Sequence, residues 1–387
     1  MPRGDQHRGP TGRGALTFGI VRAHITDVRI GLCLGIAVLV TACAGSSAGP
    51  KPKTNSSEPT ATYQALTISS RAAPSSRSET AMAYFPPGQE IVLFGGSDEN
   101  GRGFGDTWVF DRQGWRELHP AVSPPARGQA TMAYDPALRE LVLYGGCSFC
   151  GAPGLRLLQD TWGFNGTTWR QLVSQRLPTF EPSPLMSWDT TGDALVLLAP
   201  PPGFGTNPPN GDFSTVGGAL GRWIWASSGW TWRGSPVGPP LFIQPAEFVS
   251  EPGSTAMLYY SYQPYSGSCA TGSGCGADPT GLHYSMTYTW NGRSFAKGSP
   301  TSAPKAQFVM ADPRIGRVIA IAGSDVWVWT GTNWEVRASG VPASPFTAAA
   351  YDPILGDVVA LGFTPNANQT PPTWLWDGET WMTTTAS

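Results

Sequence analysis

Charge is scarce in this chain: 13% of its 387 residues are Asp, Glu, Lys or Arg, and there are four histidines. The formal net charge is −2, and the first 42 residues carry five Arg against two acids, so the remainder holds 20 basic and 25 acidic side chains. Holding a nucleic-acid backbone takes a basic excess, so that class of partner is excluded. Long apolar runs are also missing. The most apolar stretch, residues 30–42, is 13 residues long, short of the roughly 20 that cross a bilayer as a helix. After residue 50 there is no amphipathic helical pattern of useful length, which leaves a helical body without support. Turn chemistry, in contrast, is abundant: 48 Gly and 37 Pro stand beside 40% hydrophobic residues. Many short strands joined by Gly/Pro-rich turns fit this profile, so the expected class is all-β.

The 30–42 stretch follows Arg29 and ends at Cys43. A short apolar run behind a basic flank, closing on small residues, reads as a secretion signal. Val40-Thr41-Ala42-Cys43 resembles the bacterial lipobox. That implies cleavage before Cys43 and lipidation of its thiol, with palmitate-type chains holding the protein to the membrane. The expected division is a signal peptide over 1–42, a flexible Ser/Thr/Pro-rich tether over 43–62, an N-terminal latch strand within 63–75 and a body over 76–387. Residues 1–20 are long and rich in Gly, Pro and Arg for a signal, so the true start is expected downstream, near Val21.

The body is periodic. An aromatic pair seven residues apart recurs six times: Trp108/Trp115, Trp162/Trp169, Trp223/Trp230, Tyr288/Phe295, Trp327/Trp334 and Trp374/Trp381. Between the partners lie tight-turn signals such as Asn165-Gly166, Asn291-Gly292 and Asp377-Gly378. Upstream, an a-strand ends near Tyr84, Tyr134, Trp188, Val249, Ala311 and Tyr351, and a b-strand follows ten residues later with Phe94, Tyr144, Leu198, Tyr259, Ile321 and Leu361. Each unit reads as four antiparallel strands, a to d, too small to bury its own faces. Units stacked around an axis bury them against one another. Fifteen of the 16 Trp fall in the c–d segments, which assigns them to the core between units.

Gly95-Gly96 and Gly145-Gly146 follow the b-strands of units 1 and 2, and Asp-Thr-Trp opens their c-strands at 106–108 and 160–162. A double glycine after an apolar strand, then a spaced aromatic pair, resembles the kelch repeat, as in the central domain of galactose oxidase. The resemblance covers residues 76–385, roughly 52 per unit, although units 3 and 4 carry Ala199-Pro200 and Tyr260-Ser261 in place of Gly-Gly. It implies an all-β, six-bladed kelch-type β-propeller with four antiparallel strands per blade. Tyr63-Gln64-Ala65-Leu66 mimics Trp115-Arg116-Glu117-Leu118. That segment is expected as a strand on the outer edge of blade 6, competing with or extending beyond 379–384.

Length variation is concentrated in one class of loop. The b-to-c distance runs from 6 to 29 residues, with the longest connections at 200–221 and 263–285. The b–c and d–a connections emerge at one end of such a sheet, so that face is expected to meet the partner. Arg77 and Arg127 precede their a-strands; Glu181 shares that offset, and Gln244 and Lys305 lie close to it. These five are the candidate binding residues around the channel mouth, the alternative being hydrogen bonds to neighbouring loop carbonyls. Asp106, Asp160 and Asp325 each stand two residues before a c-strand Trp and read as turn caps.

Beyond Cys33 and Cys43, four cysteines remain, all in b–c loops. An even count outside the membrane suggests two local disulfides, Cys147–Cys150 and Cys269–Cys275. Cys147-Ser-Phe-Cys150 also has the spacing of a redox or zinc motif. A redox pair normally opens a helix, and zinc needs further Cys or His ligands where only His119 and His283 remain. No nucleophile elbow, His-Glu-x-x-His helix or complete Asp-box is present, and the galactose-oxidase copper set lacks its histidines. The reading is an extracytoplasmic, membrane-anchored binding or scaffold lipoprotein, monomeric, with no cofactor and no metal. It would recognise an envelope glycan or protein through the b–c loop face. The alternative is a glycan-active hydrolase or oxidase with its site in the propeller mouth, and a pair of carboxylates or an Arg triad around one pocket would favour it.

Overall fold

The computed structural model describes residues 64–66, 72–150, 156–178, 184–199, 221–226, 229–234, 246–250, 257–263, 284–291, 294–298, 300, 302, 304–306, 308–342, 346–364 and 370–384. After β1 (Gln64–Leu66), sheet 1 is built from β2 (Ala81–Phe85), β3 (Glu90–Phe94), β4 (Thr107–Asp111) and β5 (Gly114–Leu118). Sheet 2 holds β6 (Thr131–Asp135), β7 (Glu140–Tyr144), β10 (Thr161–Phe164) and β11 (Trp169–Leu172), with a two-stranded ribbon, β8 (Cys147–Phe149) and β9 (Arg156–Leu157), in its b–c connection. Sheet 3 holds β12 (Leu185–Asp189), β13 (Ala194–Ala199), β14 (Gly221–Ala226) and β15 (Gly229–Trp232). Sheet 4 holds β16 (Ala246–Ser250), β17 (Met257–Gln263), β18 (Tyr284–Trp290) and β19 (Phe295–Lys297). Sheet 5 holds β20 (Phe308–Asp312), β21 (Arg317–Ala322), β22 (Asp325–Trp329) and β23 (Trp334–Ser339). Sheet 6 holds β24 (Phe346–Asp352), β25 (Asp357–Gly362), β26 (Thr373–Trp376) and β27 (Trp381–Thr384), and β1 adds a fifth strand to it, parallel to β27.

Within each sheet the four strands run antiparallel in sequence order, and the inner strands β2, β6, β12, β16, β20 and β24 neighbour one another in a closed cycle. The arrangement is an all-β propeller with four-stranded antiparallel blades. Its b-strands are covered on both faces, so β3, β7 and β13 are buried at every position. They read as unbroken Val/Ile/Leu runs rather than as alternations. The cores lie between sheets. Phe85, Val92 and Val109 of sheet 1 meet Leu141 and Phe164 of sheet 2, while Ile91, Leu93 and Phe110 on the opposite face meet Val359 and Leu361 of sheet 6.

The recurring aromatics resolve into contacts five residues apart rather than seven. Across every c–d hairpin the d-strand aromatic stands opposite the second aromatic of the c-strand. The six pairs are Phe110/Trp115, Phe164/Trp169, Trp225/Trp230, Trp290/Phe295, Trp329/Trp334 and Trp376/Trp381, with ring centroids 4.8–5.4 Å apart. Four of the d-strand Trp residues also reach the preceding sheet. Their indole Nε1 donates to the Thr just before the c-strand member of that sheet's seven-residue aromatic pair: Trp115 to Thr373 (2.8 Å), Trp169 to Thr107 (3.1 Å), Trp230 to Thr161 (2.9 Å) and Trp334 to Thr287 (3.1 Å). Between sheets 3 and 4 the Thr position is Arg222 and the Trp is Phe295, and the Arg222 guanidinium instead lies 4.7 Å over the Trp290 ring. Between sheets 5 and 6 the Thr position is the buried Val326, and Trp381 Nε1 has no hydrogen-bond partner among the described residues.

Candidate functional site

The double glycines shape one end of the propeller. Gly95 and Gly96 hold φ of 67° and 105°, values that glycine adopts without steric cost. A Cβ on Gly96 would fall 2.6 Å from Thr80 Oγ1 and 2.9 Å from Ser78 O. That close approach lets the next residue bridge back to the chain leading into the a-strand: Ser97 with Ser78, and in blade 2 Cys147 with Gly128. Just inside each bridge, Glu79 and Gln129 are left with φ of 58° and 57°. Side-chain-bearing residues seldom hold such a backbone, and it tends to collect at binding sites. The two are coupled: Gln129 N donates to Glu79 O at 2.9 Å, and Gln129 Nε2 donates to Glu79 Oε1 at 2.5 Å.

A disulfide, Cys147–Cys150, stands beside this pair. Cys147 Sγ lies 3.3 Å from Gln129 Oε1. Cys150 N donates to Gly101 O at 2.8 Å, and Gly103 N donates to Ser148 O at 3.2 Å, so the b–c loops of blades 1 and 2 form one platform. Outward of the pair, the Arg77 guanidinium meets both carboxylate oxygens of Asp106 at 2.6 and 2.8 Å, and Arg127 meets those of Asp160 at 2.6 and 3.0 Å. Each Arg also donates to the first glycine carbonyl of its own blade, Gly95 or Gly145, and each Asp accepts from the indole N–H of Trp108 or Trp162 at 2.7 Å. Burial would raise these two carboxyls, but the hydrogen bonds and charge of the Arg, with the indole, outweigh it and hold both below the ordinary carboxylate range.

A cavity of about 690 Å³ is lined by the inner strands of all six sheets. Glu79 and Gln129 stand where β2 and β6 begin; Tyr84, Tyr134 and Trp188 line it near the opposite ends of β2, β6 and β12. Every inner strand is the last of its sheet. One edge of its backbone N–H and C=O groups is therefore turned away from the ladder and toward this space. Among the described residues Glu79 is the one charged side chain in the wall.

The structure gives the sequence-predicted residues different places. Arg77 and Arg127 do not ring the mouth: they are 2% and 0% exposed, consumed by Asp106 and Asp160, and the loop-carbonyl alternative describes part of what they do. Asp106 and Asp160 are accordingly not turn caps. Asp325 accepts from Ser339 Oγ at 2.7 Å across β22 and β23. Lys305 is exposed and outside the cavity wall. Cys43, Glu181, Gln244, Cys269, Cys275 and the two longest b–c loops lie outside the described residues. Sequence reasoning missed Glu79 and Gln129, although both stand two residues after the Arg it had singled out, an Arg-x-Glu/Gln signature shared by blades 1 and 2.

No family model and no curated protein matches the chain. Its fold is similar to the solved structure of YjhT, at 14% identity, over 79% of this chain and 96% of that one, with a TM-score of 0.50. The likeness shows the propeller. At that identity it carries the architecture alone, and the chemistry of the propeller rests on its own residues: a carboxylate and an amide locked together at the channel mouth, flanked by a disulfide-pinned platform.

Proposed function

We propose that this protein is a six-bladed, kelch-type propeller lipoprotein on the extracytoplasmic side of a membrane, binding an envelope glycan or protein through the face that carries its b–c loops. Six sheets whose inner strands form a closed cycle support the blade number, and the double glycines of blades 1 and 2 support the kelch type. The Cys147–Cys150 disulfide suits an oxidising compartment. A lipid on Cys43 would hold the propeller to the membrane, and Cys43→Ala should move the protein from the membrane fraction to the soluble one.

The observation that carries the binding role is the Glu79–Gln129 pair. Two polar residues hold a costly backbone at the mouth of a channel and are braced against each other by two hydrogen bonds. A site pre-set in this way loses little freedom when a ligand arrives. The test is a panel of envelope glycans and envelope proteins presented to the full chain and to a Glu79→Ala/Gln129→Ala variant. Binding by the wild type and its loss in the variant is the expected result. Equal binding by both would remove the mouth from the function.

A further inference from the structure

We propose that the ligand enters the channel itself and is the uncharged, hydroxyl-rich end of a saccharide. This rests on the reading of the b–c face as a binding face and narrows it to one chemistry and one place.

Three features of the wall point the same way. The first is its charge. Glu79 is the one ionic side chain lining the cavity among the described residues, and no Arg, Lys or His stands there to meet a phosphate, sulfate or carboxylate. An anion entering would lose its hydration without gaining a counter-charge, which is strongly unfavourable. The second is hydrogen bonding. Inner-strand edges from all six sheets offer backbone donors and acceptors to the cavity, and the half-buried Thr131 and Ser187 stand in the same wall. A wall of alternating donors and acceptors is best met by groups that do both, as a sugar hydroxyl does. The third is aromatic surface. Tyr84, Tyr134 and Trp188, each partly exposed, line the same space and offer apolar rings to the C–H faces of a pyranose. At about 690 Å³ the cavity lies within the range of small-ligand sites, roughly 300–1,000 Å³. Glu79 and Gln129, one accepting and one able both to accept and to donate, are set to grip a pair of neighbouring hydroxyls at the mouth.

The experiment uses the full chain and two probes of matched length, a neutral N-acetylglucosamine trisaccharide and an acidic uronic-acid trisaccharide. Binding is followed by calorimetry and by tryptophan emission, compared between the wild type and a Trp188→Phe variant to isolate the signal of the one Trp among the described residues of the wall. Saturable binding of the neutral probe, at least tenfold tighter than the acidic one, is expected. Ala83→Leu and Ala133→Leu narrow the channel from two strands and should each weaken that binding at least tenfold. Glu79→Gln, at an exposed position that leaves the fold alone, should weaken it several-fold. Tighter binding of the acidic probe, no saturable binding of either, or full affinity in folded Ala83→Leu and Glu79→Gln proteins would overturn the proposal. A parallel arm measures retention of the same proteins on purified envelope. If the wild type is retained on envelope yet takes up neither saccharide, the channel proposal fails and the binding-face reading stands. If it is not retained, that reading fails as well.

Discussion

Arg127 is fully enclosed, and everything around it is organised to keep its charge there. Its guanidinium spends two hydrogen bonds on Asp160, one on Gly145 O and one on Pro125 O. Asp160 is about one-fifth exposed, and its second oxygen also takes the Trp162 indole N–H. Removing one partner of a buried pair leaves the other charge uncompensated, at a cost of about 3 kcal/mol. Arg127→Met should therefore lower the unfolding midpoint in urea by about that much in free energy, and Arg127→Met/Asp160→Leu should recover part of the loss. If the single variant unfolds like the wild type, the pair is not holding the b–c platform. The depressed carboxyls Asp106 and Asp160 contribute their stability above the unfolded carboxylate pKa, about 4, and lose it as pH falls through their folded values. Asp357 has the opposite sign. Burial, with Asp377, Asp352 and Asp312 nearby and only Arg314 opposing, pushes its carboxyl up to about 6. The folded state then holds a proton that the unfolded state has released, so this group costs stability progressively as pH rises from about 4 to 6. Melting temperature measured from pH 4 to pH 8 should drop across that window in the wild type. Asp357→Asn should flatten the drop, and an unchanged profile in that variant would assign the window to other groups.

At the scale of the element, the Thr–Trp clasp shows how one sequence position ties two blades together. It is made at four junctions, replaced by the Arg222–Trp290 stack at a fifth, and missing at the junction of β22 and β27, where Val326 faces an indole N–H without a partner among the described residues. Val and Thr have nearly the same shape, so Val326→Thr offers the absent acceptor without repacking. A net hydrogen bond of this kind is worth about 1 kcal/mol. Val326→Thr should raise the unfolding midpoint by that amount and Thr107→Val should lower it by about the same. A destabilised Val326→Thr protein would show that the hydroxyl cannot reach Trp381. The clasp also marks where sequence reading stops. Strand number and order per unit were legible because hairpins are local: an aromatic pair seven residues apart repeats in every unit, and the structure moves the facing partner of each d-strand aromatic to the c-strand residue five before it. The Thr before the c-strand member of that pair in four units was equally visible, but its partner lies in another unit, 47 to 258 residues away, and no local period announces it. Arg77 with Asp106 and Arg127 with Asp160 were hidden although each pair lies within one unit: each residue stood out alone, and the pairing spans 29 and 33 residues. The a–b turns show a third kind of limit. Gln89, Arg139 and Asp193 hold φ of 54°, 57° and 49° where Gly316 and Gly356 serve in blades 5 and 6. Propensity alone does not foresee a left-handed Arg that neighbouring strands enforce.

For the whole molecule the decisive question is how the ring is closed. Blade 6 completes its own a–d set, with β24 to β27 all contributed by the C-terminal region, so closure needs no strand borrowed from the N-terminus. β1 instead adds to β27 from outside, pairing Gln64, Ala65 and Leu66 with Met382, Thr383 and Thr384 in parallel. Hydrogen bonds elsewhere fasten the two ends of the body: Ser76 Oγ donates to Thr364 O at 2.7 Å, Thr364 N donates to Ser76 Oγ at 3.2 Å, and Arg112 in blade 1 donates to Ile354 O in blade 6 at 3.0 Å. The ring is thus held between blades 6 and 1 without β1, and the added strand has a separate consequence: it occupies the ladder edge of the last strand in the chain. A free edge is a template for pairing with another molecule. Two truncated chains separate closure from edge protection. One begins at Pro59 and keeps β1; the other begins at Ala72 and lacks it. Both should show the same far-ultraviolet β signature, because the closing contacts survive in each. The chain lacking β1 should unfold a few degrees lower and associate more strongly as concentration rises in light scattering. Identical scattering from the two across that range would mean that β27 needs no cover. Collapse of the shorter chain to an unfolded baseline would mean that the ring is closed by β1 after all.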